Sequence, residues 1–252
     1  MTSTMKSTLS QEKDQPKLVH QIWNGDSREL CARFKTGRVN CVITDPPFGV
    51  NNLSNMAKTV DGKKNARKIA NDESPEVAIK VFNEVMDVLL PRTADNTDMY
   101  VFTSQQVLKE WLEVADDLGR HGFTRCGILV WQKDGPGMGD LDASWGMAHE
   151  FILFLKKGRR PRSAPRRTGV FHISQVRPQD LIHPHEKPLA LLDELIKFST
   201  SPGDFIVDPF SGSGSTIRAA RAAGRSAVGI ELDKHNFDVS NAALQSSEEA
   251  MF

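Results

Sequence analysis

A chain of 252 residues carrying 32 Lys and Arg against 32 Asp and Glu has no formal net charge, and 39% of it is hydrophobic. That length suits one α/β domain with an ample core, and no apolar run is long enough for a membrane-spanning helix or patterned as a signal peptide, so a soluble cytoplasmic protein is expected. Cys31, Cys41 and Cys126 are too few and too scattered for a disulfide framework or a zinc site, and no His, Cys and Asp set has ligand spacing, so no metal is expected.

Residues 1–16 are polar with little to bury and are expected to form a disordered tail before a single domain over 17–252. Leu18-Val19-His20-Gln21-Ile22-Trp23 predicts a first strand, ended by Asn24-Gly25-Asp26, with a helix near 27–36. The apolar run Cys41-Val42-Ile43 predicts a strand over 40–45, and Asp45-Pro46-Pro47-Phe48 follows where it ends. Lys58, Lys63, Lys64, Arg67 and Lys68 crowd the next loop. Helices near 75–90 and 105–120 enclose a strand over 98–103. Strands over 127–132 and 149–155, joined by the Gly-rich stretch Asp134 to Gly146, predict an antiparallel hairpin at the end of the sheet. A second basic cluster follows, with Lys156, Lys157, Arg159, Arg160, Arg162, Arg166 and Arg167. After a helix over 188–200, a strand over 204–208 turns through Phe210-Ser211-Gly212-Ser213-Gly214 into a helix over 215–223 that stops at Gly224. A strand over 226–231 and a helix over 234–249 complete the pattern. Seven strands with helices between most of them predict a doubly wound, mostly parallel α/β sheet, which places both loop motifs at strand carboxyl ends, where open sheets bind ligands.

Asp45, Pro46, Pro47 and Phe48 together suit an exocyclic amine. Asp45 supplies an anionic acceptor, Pro46 a carbonyl held by its ring-fixed φ, and Phe48 a flat stacking face, while neither proline offers a competing N–H. An amine on a planar base is a poor nucleophile until acceptors on both N–H bonds draw its nitrogen towards tetrahedral geometry, and a base inside a duplex must first be unstacked. The same four residues are also ordinary turn punctuation, with Phe48 as core filling. The glycine loop of Asp208, Phe210, Ser211, Gly212, Ser213 and Gly214 allows close backbone approach to a ligand, Ser215 or Thr216 can cap the helix, and Glu231 stands where a carboxylate meets ribose hydroxyls. Ile217 occupies the place of the third glycine of the dinucleotide fingerprint, and no P-loop is present, which leaves an adenosine ligand without phosphates. S-adenosylmethionine fits that description.

These residues resemble the amino-methyltransferases of DNA, which methylate adenine at N6 or cytosine at N4. Asp45-Pro46-Pro47-Phe48 is similar to the family's catalytic motif, Asp208 to Gly214 to its cofactor loop, and His183-Pro184-His185-Glu186-Lys187-Pro188 to the segment before that loop. The catalytic motif precedes the cofactor loop, the permuted order of the β class, and the likeness runs from about Leu18 to Asp233. Phe48 replaces the more usual Tyr, and Glu186 stands where many relatives carry Gln. The resemblance implies a Rossmann-like fold, S-adenosylmethionine as cofactor and double-stranded DNA as partner. It implies cofactor contacts from Asp26 and from Lys187, the latter to the cofactor carboxylate. Asp233 either helps Glu231 hold the ribose or caps the last helix. Lys63, Lys64, Arg67 and Lys68 are expected to close over the flipped base or grip the DNA backbone. Arg159, Arg160, Arg162, Arg166 and Arg167 fall in a short basic target-recognition segment over 156–182. Trp131 and Trp145 flank the glycine stretch, as core or rim anchors or as DNA contacts. Cytosine C5 methylation is disfavoured, because no Cys follows a Pro. Asp at position 45 favours adenine over cytosine. A non-catalytic nucleic-acid-binding subunit, an RNA or protein amide methyltransferase, and a homodimer stay open.

Overall fold

The computed structural model describes residues 17–50, 53–54, 67–135, 143, 145–160, 167–181 and 186–249. An eight-stranded sheet runs in the order β1 (His20–Asn24), β10 (Ser226–Glu231), β9 (Phe205–Asp208), β2 (Val39–Thr44), β5 (Thr93–Thr103), β7 (His149–Lys157), β6 (Phe123–Gln132) and β8 (Val170–His172). The first five are parallel to one another, and β7 alone runs antiparallel to both of its neighbours. Two short strands, β3 (Leu53–Ser54) and β4 (Arg67–Lys68), pair separately.

The sheet thus has one strand more than the sequence pattern predicts. Val170-Phe171-His172 adds to β6 in parallel, so the β6–β7 hairpin lies inside the sheet and β8 forms its edge. Three residues are too few to show a period. Trp131 secures the addition, its buried indole N–H donating to the Ile173 carbonyl at 2.7 Å.

Alternation along the strands divides the core between two faces. Val42, Met99, Val101, Val207, Val228 and Ile230 face helices α1 (Ser27–Leu30), α2 (Pro75–Leu89) and α3 (Leu108–Asp117). Cys41, Ile43, Tyr100, Phe102, Ile206 and Ala227 face α4 (Leu189–Ser199), α5 (Ser215–Ala222) and α6 (Lys234–Glu249). Central strands buried on both faces read as the near-continuous apolar runs that sheets covered by helices require. The helix expected over 27–36 is only α1 followed by a tight 3-10 turn at Cys31–Arg33. No helix among the described residues is long and apolar enough to cross a membrane.

Phe82 of α2 is fully buried between Trp111 and Phe210, at centroid distances of 5.0 and 6.4 Å. Phe82→Ala is expected to cost about 3–5 kcal/mol, read as a melting temperature lower by about 10 °C; a shift under about 2 °C would show that the site collapses without loss.

Candidate active site

The chain leaves β2 towards β5 and leaves β9 towards β10, so the adjacent ends of β2 and β9 form the topological switch point of the sheet. Asp45 follows β2 at this point, and the glycine loop follows β9. Gly49 turns the backbone after Phe48 at φ +82°, and a Cβ there would lie 2.3 Å from the Pro75 nitrogen. The buried Asp72 carboxylate accepts from the amides of Gly49 and Val50 at 2.7 and 3.3 Å. The motif is therefore pinned against the start of α2. Phe48 is half-buried and meets Trp111 edge-on at 6.5 Å. Because Phe82 touches Trp111 and stacks with Phe210, the aromatic rings of both motifs rest on one cluster.

Asp45 is tied into a chain of charges. Lys187 Nζ lies 2.8 Å from Asp45 Oδ2 and 3.0 Å from Glu150 Oε2, and 5.0 Å from the Phe102 ring centroid. Lys133 closes the other side of Glu150 at 2.5 Å. Burial pushes the Glu150 carboxyl up, but Lys187 and Lys133 outweigh it and hold the pKa at about 2. Burial likewise works against the Lys187 ammonium, and Asp45 with Glu150 raises it above the usual lysine value all the same. The expected cofactor ligand Lys187 thus sits against the motif carboxylate.

The glycine loop is held by two carboxylates. Glu231 Oε2 accepts the Gly212 amide and its Oε1 the Asp233 amide, both at 2.8 Å. Asp208 Oδ1 accepts the Phe210 amide at 3.1 Å, and Oδ2 accepts the Thr216 hydroxyl at 2.6 Å. Gly214 accordingly takes the N-cap position of α5, in left-handed backbone at φ +71°, and neither Ser215 nor Thr216 caps the helix. Thr216 has given its hydroxyl to Asp208. A Cβ on Gly214 would come within 2.7 Å of Ile22, so loop and β1 are in close contact. Asp26 caps α1 through the Arg28 amide at 2.9 Å and pairs with the Arg28 guanidinium at 2.6 Å. Asp233 accepts the Asn236 amide at 2.9 Å, which is the capping alternative. Burial carries Asp208 up to about 7, against the hydrogen bonds from Thr216 and Phe210, and it raises Glu231 too. Ser211 Oγ is buried and has no hydrogen-bond partner among the described residues. A carboxylate-lined edge with a spare hydroxyl fits a cationic, hydroxyl-bearing adenosine compound and would repel a pyrophosphate.

Comparison with known proteins identifies the family and the fold. A family profile described as DNA methylase, covering the N6 and N4 enzymes, matches residues 39–242. The chain belongs to that family. YubD of Escherichia coli strain K12 is 30% identical over 82% of each chain. The type II methyltransferase M2.DpnII of Streptococcus pneumoniae is 26% identical over 94% of this chain and 92% of its own. Among solved structures, the M1.HpyAVI–SAM complex superposes with a TM-score of 0.65 at 23% identity over 89% of this chain and 98% of its own. The cytosine-N4-specific PvuII DNA methyltransferase gives 0.68 at 17% identity over 89% and 86%.

The methylase does not bring all its expected contacts to one place. Strand β7 runs antiparallel to β5, pairing Phe151 with Thr103 and Lys157 with Thr97, so its start lies at the switch-point edge and its end at the opposite one. Arg159 and Arg160 follow that end. The Arg159 amide bonds to Asn96 at 2.8 Å, and Arg160 pairs with Asp204 at the start of β9. Both therefore lie across the sheet from Asp45, away from where residues of a target-recognition segment are expected to meet the base. Arg167 pairs with Glu194 of α4. Arg67 and Lys68 form β4; Lys58, Lys63, Lys64, Arg162, Arg166, His183 and His185 lie outside the described residues. Trp145 is 89% exposed. Sequence reasoning missed Asp72, Lys133 and Glu150. The signal for Glu150 was an acid at the head of the apolar run Phe151-Ile152-Leu153-Phe154-Leu155; Asp72 and Lys133 sit in loops and gave none.

The raised Asp208 pKa means that between pH 3.8 and about 7 the folded methylase holds a proton that the unfolded chain has released. Stability from this group therefore falls as pH rises through that window. Asp208→Asn is expected to flatten the decline by up to about 1.4 kcal/mol per pH unit, measured by urea unfolding at several pH values; an unaltered slope counts against a protonated Asp208.

Proposed function

We propose that this methylase transfers a methyl group to the N6 amine of adenine in double-stranded DNA, with the target base swung out of the stack. The observation that carries the reading is the position of Asp45: it ends a strand beside the glycine loop at the switch point, followed by the Pro46 carbonyl and half-buried Phe48. S-adenosylmethionine supplies the methyl group as an electrophilic sulfonium. Glu231, Asp208 and the glycine loop are the groups that would hold its adenosine.

Asp45 accepts one N–H of the target amine and the Pro46 carbonyl the other, which turns the nitrogen lone pair towards the methyl carbon. The new N–C bond forms as the S–C bond breaks, and the cationic nitrogen then loses a proton. A carboxylate of ordinary basicity suffices, because catalysis rests on placement and on negative charge beside a developing cation. Phe48 offers a face to the unstacked base in exchange for its lost neighbours.

Cytosine N4 is the second reading. The cytosine-N4-specific PvuII enzyme shares the fold, while Asp at position 45 favours adenine through the family resemblance.

Purified protein incubated with radiolabelled S-adenosylmethionine and unmethylated duplex DNA, followed by nucleoside analysis, is expected to place label in N6-methyladenine. Label in N4-methylcytosine would promote the second reading, and no label would sink both. Asp45→Ala is expected to lower the rate by about a thousandfold or more with cofactor affinity changed less than about threefold. Near-normal turnover in that variant would remove Asp45 from the mechanism.

A further inference from the structure

Four ionisable side chains from four separate parts of the chain meet at the switch-point edge, and three of them have no place in the mechanism above. Asp45 comes from the end of β2, Lys133 from just beyond β6, Glu150 from the start of β7 and Lys187 from the segment before α4. We propose that Glu150 and Lys187 are a positioning pair for Asp45, in which one buried ammonium, shared between two carboxylates, keeps the amine acceptor ionised and aimed. This rests on the reading of Asp45 as amine acceptor and reassigns Lys187 from the cofactor carboxylate expected of it.

Distance and burial carry the assignment. Lys187 is 8% exposed, its ammonium lies within 3.0 Å of both carboxylates, and the Phe102 ring sits close by. A lysine ammonium carries three N–H donors, and two carboxylates stand within ion-pair distance of this one. A cation held only by Asp45 would neutralise it and draw it away from the amine. Glu150 takes a share of that cation, and Lys133 in turn balances Glu150. Two carboxylates around one buried point cannot both stay ionised without a cation between them, since like charges and poor solvation each favour the acid form. Asp45 faces Lys187, and Asp208 across the switch point, whose own proton affinity Asp45 raises. Glu150 faces Lys133 and Lys187, with His149 beside it on β7. The low Glu150 pKa agrees with a permanently ionised pair.

The test uses full-length protein, duplex DNA and saturating S-adenosylmethionine, with single-turnover methylation followed from about pH 5 to 9 and cofactor affinity measured by calorimetry. In Lys187→Met the cation between the two carboxylates is lost and only Lys133 remains, on the other side of Glu150, so the acid limb of the rate profile is expected to move up by about one pH unit or more. Cofactor affinity should stay within about threefold of wild type, because the lysine does not hold the cofactor. Adding Glu150→Gln to that variant removes the like charge and should bring the limb back down. Lys187→Arg should restore most of the wild-type profile. Glu150→Gln alone, nearly isosteric, leaves the lysine wholly to Asp45 and should lower the single-turnover rate about tenfold with little change in cofactor affinity. It decides the matter if Lys187→Met does not fold, a wild-type rate in it overturning the pair. A cofactor affinity weakened tenfold or more in Lys187→Met with an unmoved acid limb would return Lys187 to the cofactor carboxylate. A limb that moves equally in the single and double variants would remove Glu150 from the pair. Loss of all label in wild type would instead defeat the methylation reading itself, which the variants do not address.

Discussion

Parallel pairing of β2 with β9, Cys41 beside Ile206 and Val42 beside Val207, sets the height at which both loop motifs leave the sheet. Three residues beyond Val42 is Asp45, and three beyond Val207 is Phe210. One register thus brings an acceptor for the amine next to the loop for its methyl donor. A slip of one residue would turn Val42 and Val207 to the wrong face and separate the two loops together. The two hydrophobic layers are what fix this register, because each central strand is buried on both sides. Phe82, Trp111 and Phe210 extend the same packing up to the loops themselves.

Against that rigid frame the carboxylates differ by their neighbours alone. Glu150 is half-buried and Asp208 fully buried, yet it is neighbours that separate them: the first is held at about 2 by two lysines and the second is carried up to about 7 with hydroxyl and amide donors beside it. Burial works against the charge of each; a nearby cation decides which of them stays ionised. Burial raises Glu231 as well, against the two backbone amides that donate to it. The edge therefore holds both permanent charge and exchangeable protons within one small region.

The strands at the centre were legible because both faces are covered and the residues run apolar, and the two motifs were legible as loops that end such strands. Less regular parts were not. Strand β5 starts at Thr93, but Ala94-Asp95-Asn96 shows no strand alternation, so only 98–103 could be read. Strand β8 is too short to show a period. The partner of Lys187 depends on β7 being antiparallel, a long-range fact that local spacing does not contain. The same reversal sends Arg159 and Arg160 to the far edge, although they follow within a few residues of a strand whose other end lies at the site. The cap of α5 was misread for a related reason: Thr216 had a buried competitor, Asp208, for its hydroxyl.

Cysteine placement has a practical side. Cys31 and Cys41 are buried, and burial pushes the Cys31 thiol up to about 12, whereas Cys126 is exposed. Cys126 lies near the start of β6, beside the β7 residues that end away from the switch point. The native chain therefore carries a natural attachment handle on its back side. A fluorophore or surface tether coupled there through maleimide would leave the mouth of the sheet unobstructed, with no cysteine to add or remove.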